Sequence, residues 1–307
     1  MGKYLGVSMV QLNIVPGNTE ANVSRMLQIA EGAMEDFPWL NLICFSELAI
    51  PGFNAATWEQ QAEPVPGPTT ERFAAFAKKH KVYVIPGSMF EKDEGNVYNT
   101  APVLGPDGQL VTKYRKMFPW RPLEPTTPGT EFCVFDIPDL CRVGVCICYD
   151  FWFPEVCRQL AWMGAEVIVH PTMTPTAMAG PEKNVAIVRA LENQVYMVSV
   201  SGCGIHGGIG LGGGSILVGP NGRILQELDK SENIVNELLD LERVELAQEY
   251  GSVCMSVQNM KHLLEYNHKF PMYTEGLEKG EFFRKRKEAA PVESYISRRQ
   301  IKLPFTS

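Results

Sequence analysis

Two distant stretches of this sequence resemble each other. Residues 103–110 are Val-Leu-Gly-Pro-Asp-Gly-Gln-Leu, and residues 217–224 are Leu-Val-Gly-Pro-Asn-Gly-Arg-Ile. The Gly-Pro-Asp-Gly or Gly-Pro-Asn-Gly centre of each stretch suits a tight reversal between two apolar strands. Before each stretch, the apolar pattern predicts strand, helix, strand, helix and strand in turn. We therefore predict an α/β domain built as an internal repeat, with two sheets and the helices outside them.

The predicted elements follow from the spacing of apolar residues and from the turn residues between them. The predicted strands are 4–12, 41–45, 82–85, 98–104, 109–113, 132–137, 141–147, 166–170, 195–201, 215–218 and 223–228. The predicted helices extend from the cap Asn18 to about Met34 and over residues 69–80, 154–163 and 181–192. The pattern weakens from Leu238 onward. We therefore predict a domain over residues 1–240 and a tail over 241–307 that packs on its own or a neighbouring subunit.

The composition is that of an ordinary globular protein, with 45% hydrophobic and 21% charged residues in a chain of 307. A net charge of −7 argues against nucleic acid as a partner. Residues 1–11 lack the apolar segment of a signal peptide, and no apolar stretch reaches membrane-spanning length. We therefore predict a cytoplasmic protein without a membrane partner, in which the eight cysteines are reduced thiols.

Residues 141–155 contain the strongest candidate for a reactive side chain. An apolar, β-branched segment ends at Cys148, and Pro154 with Glu155 then marks the first turn of a helix. A cysteine at such a strand-to-helix turn can expose its sulfur while its backbone stays rigid, which suits a nucleophile. Free cysteine is also among the residues most often buried, so this stretch alone leaves both interpretations open.

Two further groups follow predicted strand ends. Glu47 follows the strand 41–45, and Lys116 follows the first hairpin. Groups at the carboxyl ends of strands converge on one crevice in an α/β sheet. Alone, each is an ordinary cap or surface charge. Together with Cys148 they form a workable acyl-transfer site, in which a carboxylate takes the thiol proton and a cation stabilises the oxyanion.

Three blocks of sequence resemble the signature blocks of the nitrilase superfamily of carbon–nitrogen hydrolases. They are Phe-Ser-Glu-Leu at 45–48, Tyr-Arg-Lys at 114–116 and Cys-Tyr-Asp at 148–150 with Phe-Pro-Glu at 153–155. The resemblance covers roughly residues 4–240 and implies an αββα sandwich, with no metal and no cofactor. It also implies a homo-oligomer, a dimer or a larger even-numbered assembly, and the long tail favours this as well.

The resemblance also implies roles for individual residues. Glu47 is the general base, Cys148 the nucleophile, and Lys116 the oxyanion stabiliser, with the Tyr149 backbone N–H as second donor. Lys116 is preferred to Lys113 because the family's lysine directly follows an arginine. We expect the Lys116 charge to favour ionised Glu47 and a reactive Cys148. Amidases of the family often have a further glutamate in the next loop, and Glu124 is the candidate here.

The residues after the nucleophile indicate the branch of the family. Tyr149-Asp150 resembles the amidase and carbamoylase branches, whereas true nitrilases tend to have Trp-Glu there. We predict hydrolysis of a small, uncharged amide to carboxylate and ammonia through a cysteine thioester. Nitrile hydrolysis and hydrolysis of carbamoyl amino acids are the alternatives. The candidate pocket residues, which are equally plausible as core, are Tyr149, Trp152, His170, Thr172 and Met173.

The sequence also contains features of a zinc site, a phosphate-binding loop and a non-catalytic binding protein. Cys146 and Cys148, expected on one face of a strand, could bind zinc with His170, but no second pair of ligands follows. The glycine-rich residues 202–214 lack the Lys-Ser or Lys-Thr and the helix of a phosphate-binding loop, and we predict a flexible loop near the site or a close backbone approach. A binding protein of this fold without activity is the third interpretation, although it would not need all three of Glu47, Lys116 and Cys148.

Overall fold

The computed structural model describes residues 2–54, 57–121, 123–206 and 208–251. In chain order the elements are β1 (Tyr4–Gln11), α1 (Thr19–Asp36), β2 (Leu42–Phe45), α2 (Pro68–His80), β3 (Tyr83–Ile85), β4 (Met89–Asp93), β5 (Asn96–Leu104), β6 (Leu110–Arg115), β7 (Cys133–Ile137), β8 (Cys141–Val145), α3 (Pro154–Trp162), β9 (Val167–Thr172), α4 (Ala179–Asn193), β10 (Tyr196–Ser201), β11 (Cys203–His206), β12 (Ile209–Gly212), β13 (Ile216–Val218), β14 (Ile224–Glu227), β15 (Asn233–Asp240) and α5 (Glu242–Tyr250).

Two large sheets repeat one topology. The first has the strand order β15-β1-β2-β3-β5-β4, with β6 paired to β5, and the second has the order β14-β13-β10-β9-β8-β7. Strands β1, β2 and β3 are parallel, as are β8, β9 and β10, and helices connect them. An antiparallel hairpin follows each set, β5–β6 in the first sheet and β13–β14 in the second. The predicted repeat of two α/β halves is therefore confirmed.

The apolar side chains divide into layers according to strand alternation. One core cluster lies between the sheets and includes Val7 and Met9 of the first half together with Val145 and Val169 of the second half. A second cluster packs α1 and α2 on the outside of the first sheet. A third packs α3 and α4 on the outside of the second sheet. These four layers make up the αββα sandwich that the resemblance implies, and that expectation is confirmed.

Several predicted elements differ from the structure. The short strand β4 and most of β15 were not predicted, and α5 lies where the sequence pattern was interpreted as weakening. The predicted strand 141–147 ends at Val145. The glycine-rich residues 202–214 are not a flexible loop, since β11 and β12 pair along them, but the alternative of a close backbone approach is confirmed, because a Cβ at Gly213 would lie 2.7 Å from the Asp229 carbonyl oxygen.

The expected tail is only partly described. Helix α5 packs on its own chain, where Val244 joins the core between the sheets and the Ala247 carbonyl accepts a hydrogen bond from Gln194. Residues 252–307 lie outside the described part of the chain, so the prediction for the tail remains open. None of the helices within the described ranges is long and apolar enough to cross a membrane.

Candidate active site

Glu47 lies just after the end of β2, in a turn that residues after β3 hold in place. The Leu48 N–H donates to the Ser88 hydroxyl at 2.9 Å. Gly87 has a φ of 74°, and a Cβ atom there would lie 1.8 Å from the Ser46 carbonyl oxygen. Only glycine permits this approach, which presses the two turns together. The Glu47 side chain is consequently buried.

Lys116 directly follows β6, and its backbone is bonded on both sides. Its N–H donates to the Asn99 carbonyl and its own carbonyl accepts from Gly129, each at 2.8 Å. Its Nζ donates to Glu47 Oε1 and to Glu124 Oε2, both at 2.7 Å. Burial alone would lower the lysine pKa, but the acidic groups around it, Cys148, Glu124 and Glu47, hold this pKa well above its usual value, and the two carboxylates lie 2.7 Å from Nζ. Lys116 is therefore an ammonium.

The neighbouring Lys113 belongs to a separate cluster. Its Nζ donates to Glu91 and to the Val65 carbonyl oxygen, away from Glu47. Arg115 also donates to Glu91, at 2.8 Å and 2.7 Å, and its guanidinium lies 4.0 Å from the centre of the Tyr98 ring. Of the two lysines weighed from the sequence, the structure brings Lys116 to Glu47 and Cys148.

Glu124 accepts hydrogen bonds from four donors. Its Oε2 accepts from Lys116 Nζ at 2.7 Å and from the Trp120 N–H at 2.9 Å. Its Oε1 accepts from Asn99 Nδ2 at 2.8 Å and from the Thr126 hydroxyl at 3.3 Å. Burial would raise the pKa of Glu124, but the Lys116 charge and these hydrogen bonds hold it below its usual value. The Lys116 charge and the N–H donors of Trp120 and Asn99 thus favour the ionised form, which only accepts.

We expect Glu124→Gln to lower the free energy of unfolding by about 1–3 kcal/mol, because the new amide N–H₂ would face at least one N–H donor whichever way it turned, from Asn99 on one side or from Lys116 and Trp120 on the other. Urea denaturation of the variant and the parent measures the difference. Glu131→Gln, on an exposed residue beyond the same loop, is the control and should leave the denaturation midpoint unchanged. Equal stability of Glu124→Gln and the parent would contradict an ionised, fully bonded Glu124.

Cys148 begins a single 3₁₀ turn, Cys148–Trp152, shortly after β8 ends at Val145. Its φ is 47°, in the left-handed region that residues other than glycine rarely adopt. Asp150 holds this turn, accepting from the Ile147 N–H at 3.0 Å, the Phe118 N–H at 2.7 Å and the Tyr114 hydroxyl at 2.8 Å. One buried carboxyl thus ties the Cys148 turn to the loop after Lys116. Burial raises the pKa of Asp150 to about 6.

The Cys148 thiol is protonated at rest. Burial and the Glu47 charge raise its pKa well above the usual value, and the opposing effect of Lys116 is smaller. The expectation that Lys116 makes Cys148 reactive therefore has the right direction, but desolvation outweighs it. A base must remove the thiol proton as the sulfur reacts.

His170 lies behind the Cys148 turn and is fully buried. Its Nε2 is 3.0 Å from the Cys148 carbonyl oxygen, its Nδ1 is 2.8 Å from the Ser199 hydroxyl, and its ring stacks on Phe151. Burial lowers its pKa to about 3, so the ring is neutral. Nε2–H donates to the carbonyl, and Nδ1 accepts from Ser199. His170 therefore supports the backbone of Cys148, and the idea that it lines the pocket is wrong.

The other expected pocket residues have different positions. Met173 lines the cavity beside Cys148. The Tyr149 ring is 36% exposed and packs edge-on against Phe153, while Trp152 is half-buried and its carbonyl accepts from Arg189 at 3.3 Å. Thr172 is buried, its hydroxyl is bonded to Glu182, and it is not among the residues that line the cavity.

The zinc interpretation is not supported within the described residues, where no group of three or more His, Cys, Asp and Glu side chains could hold a metal. The two cysteines do not share a face, because the strand ends before them. Cys146 belongs to the core under α3 and contacts Cys157, whereas Cys148 packs against the core between the sheets.

The convergent side chains open into a small cavity of about 40 Å³. Its lining residues are Glu47, Leu48, Phe53, Lys116, Trp120, Leu123, Glu124, Cys148, Met173 and Ile209. Apart from the three ionisable residues and the thiol, the lining is mainly apolar. A larger cavity of about 330 Å³ lies beside α5, lined by residues such as Tyr196 and Arg243, and contains none of these groups.

Two kinds of site residue were not identified from the sequence. Asn99 bridges the carboxylates, donating to Glu47 at 2.9 Å and to Glu124 at 2.8 Å, but no motif marks it within β5. The apolar wall was missed as well, apart from Met173. Ile209 comes from the β11–β12 hairpin, whose glycines were interpreted without regard to the side chains between them.

Comparison with known proteins agrees with this geometry. Residues 6–249 match the family Carbon-nitrogen hydrolase. The chain belongs to this family. The carbon–nitrogen hydrolase is 30% identical over 248 residues to the omega-amidase NIT2 of Xenopus tropicalis, covering 77% of this chain and 88% of that protein. It is also 35% identical over 193 residues to a formamidase of Bacillus cereus strain B4264, covering 61% of this chain but only 58% of the formamidase.

A solved structure gives the same result. Nit3 of Saccharomyces cerevisiae, a member of branch 10 of the nitrilase superfamily, superposes with a TM-score of 0.75 at 28% identity. The match covers 84% of this hydrolase and 97% of Nit3. The predicted family is confirmed, and the chain is an amidase-like hydrolase of carbon–nitrogen bonds.

Proposed function

We propose that this hydrolase converts a small, uncharged amide to a carboxylate and ammonia through a thioester on Cys148. The observation that supports this most is the cavity in which Cys148, Glu47 and Lys116 meet beneath a mainly apolar wall. The names of the omega-amidase and formamidase relatives agree with an amide substrate.

Glu47 is suited to be the general base because its two carboxylate oxygens differ. Oε1 accepts from Lys116 at 2.7 Å and from Asn99 at 2.9 Å, which fixes the orientation of the carboxylate. No residue in the described ranges donates to Oε2, and Glu47 lines the cavity. Oε2 is thus the oxygen that takes the thiol proton as the Cys148 sulfur attacks the amide carbon.

The oxyanion has two candidate donors. Lys116 Nζ uses two of its three N–H groups on Glu47 and Glu124, and the third has no acceptor among the residues that the structure describes. The Tyr149 backbone N–H, at the start of the Cys148 turn, is likewise unpaired within that part of the chain. One such donor is typically worth about 3 kcal/mol of the barrier.

Glu47 then returns the proton to the departing nitrogen, the carbon–nitrogen bond breaks, and ammonia leaves. A water molecule gives its proton to the same carboxylate and attacks the thioester carbon. The carbon–sulfur bond breaks, the carboxylic acid forms, and the sulfur regains its proton. The bonded Lys116–Glu47 pair supports this use of one carboxylate as base and acid in turn.

The wall of the cavity favours a short aliphatic acyl group. Leu48, Phe53, Leu123, Met173 and Ile209 offer only apolar contacts, and about 40 Å³ leaves room for few carbon atoms. Lys116 is the sole cation lining this cavity within the described residues, and two carboxylates already pair with it. A substrate carboxylate would therefore enter without a partner, at the cost of desolvating its charge.

The test is ammonia release from a panel of small amides, carbamoyl amino acids and nitriles. We expect release from short aliphatic amides and a falling kcat/KM as the acyl chain outgrows the cavity. Release from nitriles alone, or from carbamoyl amino acids alone, would contradict the proposal and move this hydrolase to the corresponding branch. If no compound of the panel releases ammonia, the result would favour a binding protein of this fold.

A further inference from the structure

The mechanism above does not use Glu182, a buried acid in the first turn of α4. Its side chain is only 7% exposed, and it lies against the last residues of β9 and the segment after it. The Thr172 hydroxyl contacts Glu182 Oε1 at 2.9 Å, and the Thr174 hydroxyl contacts the same oxygen at 2.5 Å. The two hydroxyls also lie 2.9 Å from each other.

Glu182 Oε1 and the Thr172 and Thr174 hydroxyl oxygens form a triangle of three contacts. When Glu182 is ionised, the triangle holds too few protons to make a hydrogen bond along each of its sides. Each of the three contacts is of hydrogen-bond length, but two hydroxyls supply only two protons. With an ionised carboxylate, both hydroxyls donate to Oε1. With a proton on Oε1, the carboxyl donates to one threonine, and the hydroxyl of Thr172 is released to donate elsewhere.

The other neighbour of Thr172 is the nucleophile. Thr172 ends β9, the strand whose His170 contacts the Cys148 carbonyl oxygen at 3.0 Å, and a hydrogen bond from the Thr172 side chain lowers the pKa of the Cys148 thiol. A negative charge on Glu182 acts on the same thiol in the opposite direction. Thr172 thus connects Glu182 to Cys148, on whose thiol Glu47 and Lys116 also act.

We propose that Glu182 is a positioning residue for the nucleophile, whose proton decides whether Thr172 donates its hydrogen bond to Cys148 or to Glu182. When Glu182 is protonated, Thr172 stabilises the Cys148 thiolate. When the proton leaves, through the small polar cavity that Glu182 shares with Ser199 and Ser201, Thr172 turns to the carboxylate. The proposal deepens the proposed function, on which its relevance to turnover rests.

The charges around Glu182 allow this change near neutral pH. Burial raises the pKa of Glu182 to about 7, with hydrogen bonds from Thr174 and Thr172 opposing this shift. Across the nucleophile, Glu47 raises the same pKa and Lys116 lowers it. The next residue on α4, Lys183, is bonded to Glu227 at 2.7 Å and 2.6 Å.

The test is the rate at which iodoacetamide alkylates Cys148, followed by mass spectrometry of its peptide, at about one pH unit below and above the Glu182 pKa of about 7. Glu182→Gln keeps a neutral side chain of the same shape at both values. We expect the variant and the parent to react equally at the lower pH, and the variant to react about tenfold faster at the higher pH, the ratio for one pKa unit of coupling.

Glu227→Gln is the matched control, because it removes a nearby negative charge that does not contact the threonines. The alkylation rate of this control divided by that of the parent should stay constant with pH. Thr172→Val gives an independent result: it should slow alkylation about tenfold at the lower pH and match the parent at the higher pH, whereas Thr172→Ser should behave as the parent.

If the alkylation rate of Glu182→Gln divided by that of the parent does not change with pH, the inference is overturned, even if amides are hydrolysed. Because alkylation needs no substrate, a growing ratio together with a silent amide panel supports the inference and overturns only the proposed function. If Glu182→Gln does not fold, a Thr172→Val rate equal to that of the parent at the lower pH overturns the inference.

Discussion

Replacement of Cys148 by alanine should abolish amide hydrolysis while leaving the fold intact. The variant has no sulfur to form the thioester, and loss of a covalent nucleophile typically costs a factor on the order of 10⁴–10⁶ in kcat. Alanine meets the same backbone requirement as cysteine, since both have a Cβ atom at the φ of 47°. Ammonia release and circular dichroism measure the two effects on one sample.

Cys157→Ala is the matched control for this variant. Cys157 is a buried cysteine in the first turns of α3 that lies outside the cavity. Its replacement should lower stability through a lost buried sulfur but preserve kcat. Turnover by Cys148→Ala near the rate of the parent, with an unchanged spectrum, would remove Cys148 from the mechanism and the thioester with it.

Replacement of Lys116 by methionine should damage both activity and stability. Methionine has a similar length but no charge, so the buried carboxylates of Glu47 and Glu124 lose the cation at 2.7 Å from each. Removal of one partner from a buried charged cluster typically costs about 3–5 kcal/mol. The oxyanion also loses a donor, which typically lowers kcat by a factor on the order of 10²–10³.

The pH dependence of this variant distinguishes electrostatics from packing. In the parent, the depressed pKa of Glu124 stabilises the fold above the ordinary pKa of a glutamate, and this contribution is lost as acid protonates the carboxylate. Without Lys116, only hydrogen bonds oppose the effect of burial, which raises the pKa of Glu124. The stability deficit of Lys116→Met relative to the parent should therefore shrink as the pH falls, in urea denaturation at several pH values.

Lys113→Met is the control, because Glu91 keeps its bonds to Arg115 and Thr100. This variant should keep its kcat and lose less stability than Lys116→Met. Equal losses in the two variants, or a deficit of Lys116→Met that does not change with pH, would show that the Lys116 charge is not what holds the two carboxylates in place.

The sequence was sufficient for the elements whose pattern is strong. Strands β2, β9 and β10 are apolar runs between turn residues, and the two Gly-Pro hairpins revealed the repeat. Strand β15 was missed because its residues are mostly half-exposed and mixed in polarity, and only pairing with β1 selects the extended conformation. The contribution of a neighbouring strand is not visible in a local pattern.

The site was predictable to a similar extent. Glu47, Lys116 and Cys148 follow strand ends within recognisable blocks, and the structure brings their side chains to one cavity. The orientation of His170 was not predictable, because a histidine near a nucleophile suits a pocket and a backbone support equally well. Asn99 and Glu182 are ordinary residues of a strand and a helix, and only the tertiary fold brings them to the charged groups that they contact.

The eight residue pairs between β1 and β15 have a consequence for the order of events during synthesis. Strand β1 leaves the ribosome long before its antiparallel neighbour β15, which ends at Asp240. Until then, the nascent first half has an unprotected sheet edge, to which another nascent chain can add. A ribosome-bound chain stalled before Asn233 should therefore depend more on chaperones than one stalled after α5.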